Sequence, residues 1–88
     1  SYDWLALLAN LELLVPEGVV LKRLEPADKG AVLKLSASAR NLSAVRKFIE
    51  SLESSSFFSE IFLTEQTFMK EGEQKGLNFS VTCKVTAP

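Results

Sequence analysis

The stretch Leu77-Asn-Phe-Ser-Val-Thr-Cys-Lys-Val85 decides the fold, because Leu77, Phe79, Val81, Cys83 and Val85 alternate without a break with Asn78, Ser80, Thr82 and Lys84. A period of two is that of a strand with one face on a core and the other in water. The polar run Glu71-Gly-Glu-Gln-Lys-Gly76 before it reads as a hairpin loop, and Ile61 to about Met69 as the partner strand. Phe57 and Phe58 pin the start of that partner.

Upstream the period changes. Asn41 is a good N-cap for a helix from Leu42 to about Glu53, with Leu42, Val45, Phe48, Ile49 and Leu52 as its inward stripe. Arg46, Lys47, Glu50 and Glu53 face water, and Ser54-Ser55-Ser56 ends the element. Before it, Ala31 to Ala39 alternates Leu33, Leu35 and Ala37 against Val32, Lys34, Ser36 and Ser38, a half-buried strand. Pro26 to Gly30 is a hairpin loop in which Gly30 supplies a positive φ. Val19 to Glu25 is the strand preceding it, with Val19 and Leu21 on one face and Val20, Lys22 and Leu24 on the other.

Pro16-Glu17-Gly18 closes a first helix from Asp3 to Val15, along which Trp4, Leu7, Leu8, Leu11, Leu14 and Val15 recur at helical spacing. Asp3 stands where an acid favours the helix dipole. The opposite side is hardly polar: Leu5, Ala6, Ala9 and Leu13 leave only Asn10 and Glu12 for water. A helix apolar nearly all round is covered on more than one side. The domain itself, a partner, or a longer helix continuing upstream would each supply that cover.

The order α-β-β-α-β-β makes an α+β domain, one unit over residues 1–88. Both helices fit best on one face of a four-stranded antiparallel sheet. A right-handed crossover through the second helix, with the last strand between the second and third, gives the order 1-2-4-3. That is a circularly permuted ferredoxin-like sheet, whose central strands are the two that alternate most cleanly and whose first and third strands are edges.

Composition excludes much. Ten basic residues against eleven acidic ones leave no basic surplus for nucleic acid or anionic lipid. There is no histidine, and Cys83 is the single cysteine, so disulfides within the chain and the usual zinc spacings are both absent. No stretch reaches the ~18 apolar residues of a membrane span. The chain opens on Ser1 without an initiator methionine or signal-peptide layout, as a piece of a longer protein would.

No catalytic, cofactor or metal constellation is present. Glu60, Glu65, Glu71 and Glu73 are the carboxylates available for pairing, and Glu71 and Glu73 fall in the polar loop. Cys83 points inward and reads as a small buried hydrophobe. Arg40 and Asn41 adjoin but lack the glycine-rich anion loop that acylphosphatase-type chemistry needs. The outward residues of the central strands carry no aromatic on which a base would stack, which argues against RNA. Asn41-Leu42-Ser43 and Asn78-Phe79-Ser80 lie inside regular elements and read as chance glycosylation matches. The expectation is a non-enzyme without cofactor, substrate or nucleic acid.

The residues left over are apolar and outward. They are Trp4, Leu5 and Leu13 on the first helix, Val20 and Leu24 on one edge strand, and Phe62 and Phe68 on the other. On the edge strands these side chains fall on the side opposite the helices. Edges with few charges invite pairing with another chain, so these seven are the candidate protein interface.

Leu14-Val-Pro-Glu-Gly-Val-Val-Leu21 resembles the L-x-P-x-G-V-x-L segment leading into the first strand of the PilN family of fimbrial assembly proteins. Leu33-Lys-Leu-Ser-Ala-Ser-Ala39 is similar to that family's L-x-I-x-G-x-A strand, with Ala37 in place of the glycine. Val45 to Glu53 followed by Ser55 to Ser59 is similar to its V-x-x-F-x-x-x-L-E-x-S-x-x-F stretch, and Phe79-Ser-Val-Thr-Cys83 to its last strand. The resemblance implies a scaffolding part of the type IV pilus inner-membrane assembly complex, without catalysis or cofactor. It implies a periplasmic domain anchored in the inner membrane by segments upstream, and association as a homodimer or with a PilO-like domain. The GspL domain of type II secretion has a similar architecture. An ACT-like sensing domain is the alternative from another class, its amino-acid loop corresponding to Pro26 to Gly30.

Overall fold

The computed structural model describes residues 3–69 and 76–86. Helix α1 spans Trp4–Leu14, strand β1 Val19–Ala27, a 3-10 turn Asp28–Gly30, strand β2 Val32–Ala39, helix α2 Leu42–Ser54, strand β3 Phe58–Phe68 and strand β4 Leu77–Val85. The four strands form one antiparallel sheet in the order β1-β2-β4-β3. This α+β arrangement is the one expected from the alternation of β2 and β4, which occupy its centre. The polar loop with Glu71 and Glu73 lies outside the described residues, apart from Gly76.

Both helices are capped by their own sequence. The Asp3 carboxylate accepts from the Ala6 N–H at 3.0 Å, and the Asn41 side chain accepts from the Ala44 N–H at 2.9 Å. Each removes one of the orphan donors that a helix N-terminus leaves. Asp3 is thus the N-cap, one position outside the helix. Gly30 takes φ 90°, as the tight return from β1 to β2 requires.

One apolar layer lies between the helices and the sheet. Leu7 and Leu11 of α1 and Ala44, Val45, Phe48 and Leu52 of α2 are buried over Leu33, Leu35, Ala37 and Ala39 of β2 and Leu77, Phe79, Val81 and Cys83 of β4. Phe48 meets Phe79 edge to face, ring centroids 6.0 Å apart and planes at 73°. The Ser54–Ser56 segment ends α2, and Ser55 turns the chain with its Oγ accepting from the Phe57 N–H at 3.0 Å.

The edge strands depart from simple alternation. On β1, Leu21 pairs with Ala37 but Arg23 pairs with Ser36, so Lys22 is an extra residue. A bulge of this kind inverts the facing of everything after it. Leu24 therefore pairs with Leu35 and is half-buried against the core, not on the side opposite the helices. On β3 there are two register shifts, one between Ser59 and Phe62 with Glu60 at φ 50°, the other at Thr64. Phe62 keeps the open side opposite Thr82, whereas Phe68 pairs with Leu77 and shares the helix side of the sheet, 70% exposed beyond the helical cover. Both edge strands also run longer than their apolar pattern, β1 through Pro26 and Ala27 and β3 from Phe58. Leu42, at the first position of α2, is 51% exposed instead of joining the inward stripe.

Candidate protein interface

Among the described residues no group of three or more His, Cys, Asp and Glu could hold a metal ion, and no buried side-chain nitrogen or oxygen lacks a hydrogen-bond partner. The one buried polar residue of the sheet is Ser80, only 6% exposed although it lies on the open face. Its Oγ lies 3.4 Å from the Ser36 Oγ and donates to the Glu65 Oε1 at 3.4 Å, while the Thr64 hydroxyl donates to its carbonyl at 3.3 Å. These long bonds tie the centre of the open face to the second β3 bulge. Cross-strand contacts of this kind stabilise the pairing of neighbouring strands.

Two open depressions can be traced among the described residues. One lies over the open face between Lys22, Ser36, Glu65, Thr67 and Asn78. The other lies at the start of α2 between Pro16, Glu17, Arg40, Ser43 and Lys47. Neither is lined by the turn Asp28–Gly30, the position at which an ACT-like domain would receive an amino acid. The ion pairs Arg23–Glu25 at 3.2 Å and Lys84–Glu60 at 3.3 Å are well exposed and contribute little to stability.

Cys83 faces the core, and burial pushes its thiol up from 9.0 to about 11. The stability this thiol confers is full below the unfolded value of 9.0 and lost as pH rises through about 11. Relative to Cys83→Ala, the native chain should lose on the order of 2–3 kcal/mol across that window, read by denaturant unfolding at successive pH values. A parallel pH dependence in both chains would show that the thiol is solvated.

The apolar surface is concentrated elsewhere. Leu5 and Leu13 of α1 are 81% and 85% exposed, with Trp4 and Leu8 partly so. Leu7 and Leu11 alone carry the full burial of this helix, so its inward stripe is narrower than the apolar spacing suggests. Val20 on β1 and Phe62 on β3 project from the open face at opposite edges of the sheet, separated by β2 and β4. Of the seven interface candidates, Trp4, Leu5 and Leu13 share one helix, Val20 and Phe62 share the open face, Phe68 stands on the helix side and Leu24 turns to the core. Leu63, opposite Val81 on the helix side of β3, is an exposed apolar residue that only the register reveals.

Among the described residues no helix is long and apolar enough to cross a membrane. Comparison with family models finds the one described as fimbrial assembly protein (PilN) over residues 6–85. That span takes in all four strands, α2 and most of α1. A comparison with curated proteins finds no match.

Proposed function

The chain belongs to the PilN family of fimbrial assembly proteins, and from that premise we propose that it is a scaffolding domain of a type IV pilus assembly complex that acts by holding protein partners. The observation that supports this reading most is the outer face of α1, where Leu5 and Leu13 stand in water on a helix whose single charge is Glu12. Exposed apolar faces of this kind are where partners bind. The partners are a second copy or a PilO-like domain, and the domain spans residues 1–88 as one unit. Its place is the periplasmic side of a bacterial inner membrane, with the anchor supplied by segments upstream. Its contribution is geometric: shape, apolar contact and register do the work that a reactive site does in an enzyme.

Sedimentation velocity of the 88-residue chain, alone and mixed with a PilO-type domain, tests this. Association that rises with concentration is expected, and Leu13→Glu should weaken it about tenfold or more by placing a carboxylate in the apolar contact. The unfolding midpoint should stay within error, since Leu13 is outside the core. A strict monomer that binds no such domain would sink the proposal.

A further inference from the structure

We propose that the open face of the sheet binds a small zwitterion of dipeptide length, with its carboxylate at Lys22 and its ammonium at Glu65. The site lies on the side of the sheet away from the helices, and it goes beyond the assembly reading, which rests on α1.

Bulges of both edge strands meet at one row of the sheet. Lys22 is the extra residue of β1, next to Arg23, which pairs with Ser36. Thr64 is the extra residue of β3, next to Glu65, which pairs with Ser80. Ser36 and Ser80 are partners of each other, so the row Arg23, Ser36, Ser80, Glu65 crosses the whole sheet with a bulge at either end. Bulges re-aim side chains and sharpen the local twist. Here they bring a cation and a carboxylate to opposite rims of one depression of about 200 Å³, with Ser36, Asn78 and Ser80 between them and Thr67 beside Glu65. Sites for drug-sized ligands run from about 300 to 1,000 Å³, so the occupant of this one is smaller.

Hydrogen bonding polarises the floor. Ser80 has one hydroxyl hydrogen and donates it to the Glu65 Oε1, so the contact between the two serines is donated by Ser36. Donation therefore runs from Ser36 through Ser80 to Glu65. It leaves the lone pairs of Ser36 and the second carboxylate oxygen of Glu65 as acceptors, which suit an ammonium. Lys22 brings donors only and suits a carboxylate. Arg23 is paired with Glu25 and Lys84 with Glu60, whereas Lys22 and Glu65 enter no ion pair among the described residues. Distance sets the length of the ligand. Neighbouring strands lie about 4.8 Å apart, which puts the β1 and β3 backbones about 14 Å from each other along the row. Glu65 leans over β4 to reach Ser80, and Lys22 borders the same depression as Ser36 on β2. The gap between the charges is then one to two strand spacings, about 5–10 Å. One amino acid spans about 3.5 Å and an extended dipeptide about 7 Å, so the dipeptide bridges it. The exposed Asn78 amide, at the centre, offers both donors and an acceptor to the peptide group of the ligand.

Amide chemical shifts of the isotope-labelled 88-residue chain, titrated with alanylalanine, test the site. The amides of Lys22, Ser36, Glu65, Asn78 and Ser80 should move together and saturate, with a Kd on the order of a millimolar for so few and such open contacts. N-acetyl-alanylalanine lacks the ammonium and alanylalanine amide lacks the carboxylate. Each should bind about fivefold or more weakly, the effect of losing one charge-assisted contact. Lys22→Gln should erase the difference between the dipeptide and its amide and keep that between the dipeptide and its acetylated form. Glu65→Gln should do the reverse. Both side chains are exposed, so folding is spared. No shift, shifts that grow without saturating, or shifts spread over both faces of the domain would overturn the proposal. So would a preference for free ends that survives in both variants, or tighter binding of free alanine than of the dipeptide. Sedimentation of Leu13→Glu reads the assembly contact on α1 separately, so either reading can fail while the other stands.

Discussion

Phe48→Ala is expected to destabilise the domain by about 3–5 kcal/mol, the range for removing a phenyl ring from a packed core. Phe48 is fully buried from the centre of α2, and its ring edge meets Phe79 on the central strand β4. Its neighbours in the layer include Leu33, Leu35, Leu52 and Val81, each held by a strand or helix that cannot collapse into the space without breaking its own ladder. The cavity would stay open, and the lost contacts would not be recovered. Domains of this size hold roughly 5–15 kcal/mol in all, so the variant would keep only a fraction of native stability. Urea unfolding followed by far-UV circular dichroism measures the difference. A loss under about 1 kcal/mol would mean that α2 is not the keystone of the core.

Gly76→Ala is expected to cost about 3 kcal/mol or more, combining backbone strain with an overpacked contact. Gly76 opens β4 at φ +136°, and a Cβ there would lie 2.6 Å from the Ala39 carbonyl oxygen at the end of the neighbouring strand β2. That oxygen belongs to backbone and cannot step aside. The Gly76 carbonyl also accepts from the Met69 N–H at 3.0 Å, closing the β3–β4 pair, so any shift spreads into the hairpin. Gly18 is the internal comparison. It too has a positive φ, +91°, but its added Cβ would meet the Arg40 guanidinium at 2.9 Å, the far end of a flexible chain. Gly18→Ala should therefore cost about 1–2 kcal/mol from the backbone conformation alone. Equal losses for the two variants in parallel urea titrations would show that the approach to Ala39 carries no weight.

The two substitutions differ in how far the sequence foretells them. Phe48 sits in an i, i+3, i+4 stripe that any helical reading places inward, and Phe79 in a run of perfect alternation. Gly76 ends a polar loop and looks like any turn glycine; its closeness to Ala39 depends on β2 and β4 being neighbours. The candidate interface divides in the same way. Leu5 and Leu13 were legible because α1 has too few polar residues to face water on a whole side. The positions of Leu24 and Phe68 were not, because Lys22 and Thr64 are extra residues on their strands and each inverts the alternation beyond it. Nothing in the composition near Lys22 or Thr64 marks them. Bulges are settled by how an edge strand fits the twist of its single neighbour.

The sequence by itself determined the element order, the central strands and the capped amphipathic α2, since each follows from local periodicity and residue chemistry. Local patterns also carried the family resemblance, because the PilN motifs are the apolar positions that build those elements. Only the tertiary structure decided which apolar residues are left in water. It narrowed the buried stripe of α1 to Leu7 and Leu11, turned Leu24 to the core and Phe68 to the helix side, and left Leu63 exposed. Periodicity fixes which residues share a face, but burial depends on what lies across from that face. The single registers of β1 against β2 and β3 against β4, bulges included, set that for the edges. The outer face of α1 followed the same rule: its leucines were plain in the sequence, and Leu5 and Leu13 became its exposed pair once Leu7 and Leu11 showed which side of the helix the core had taken.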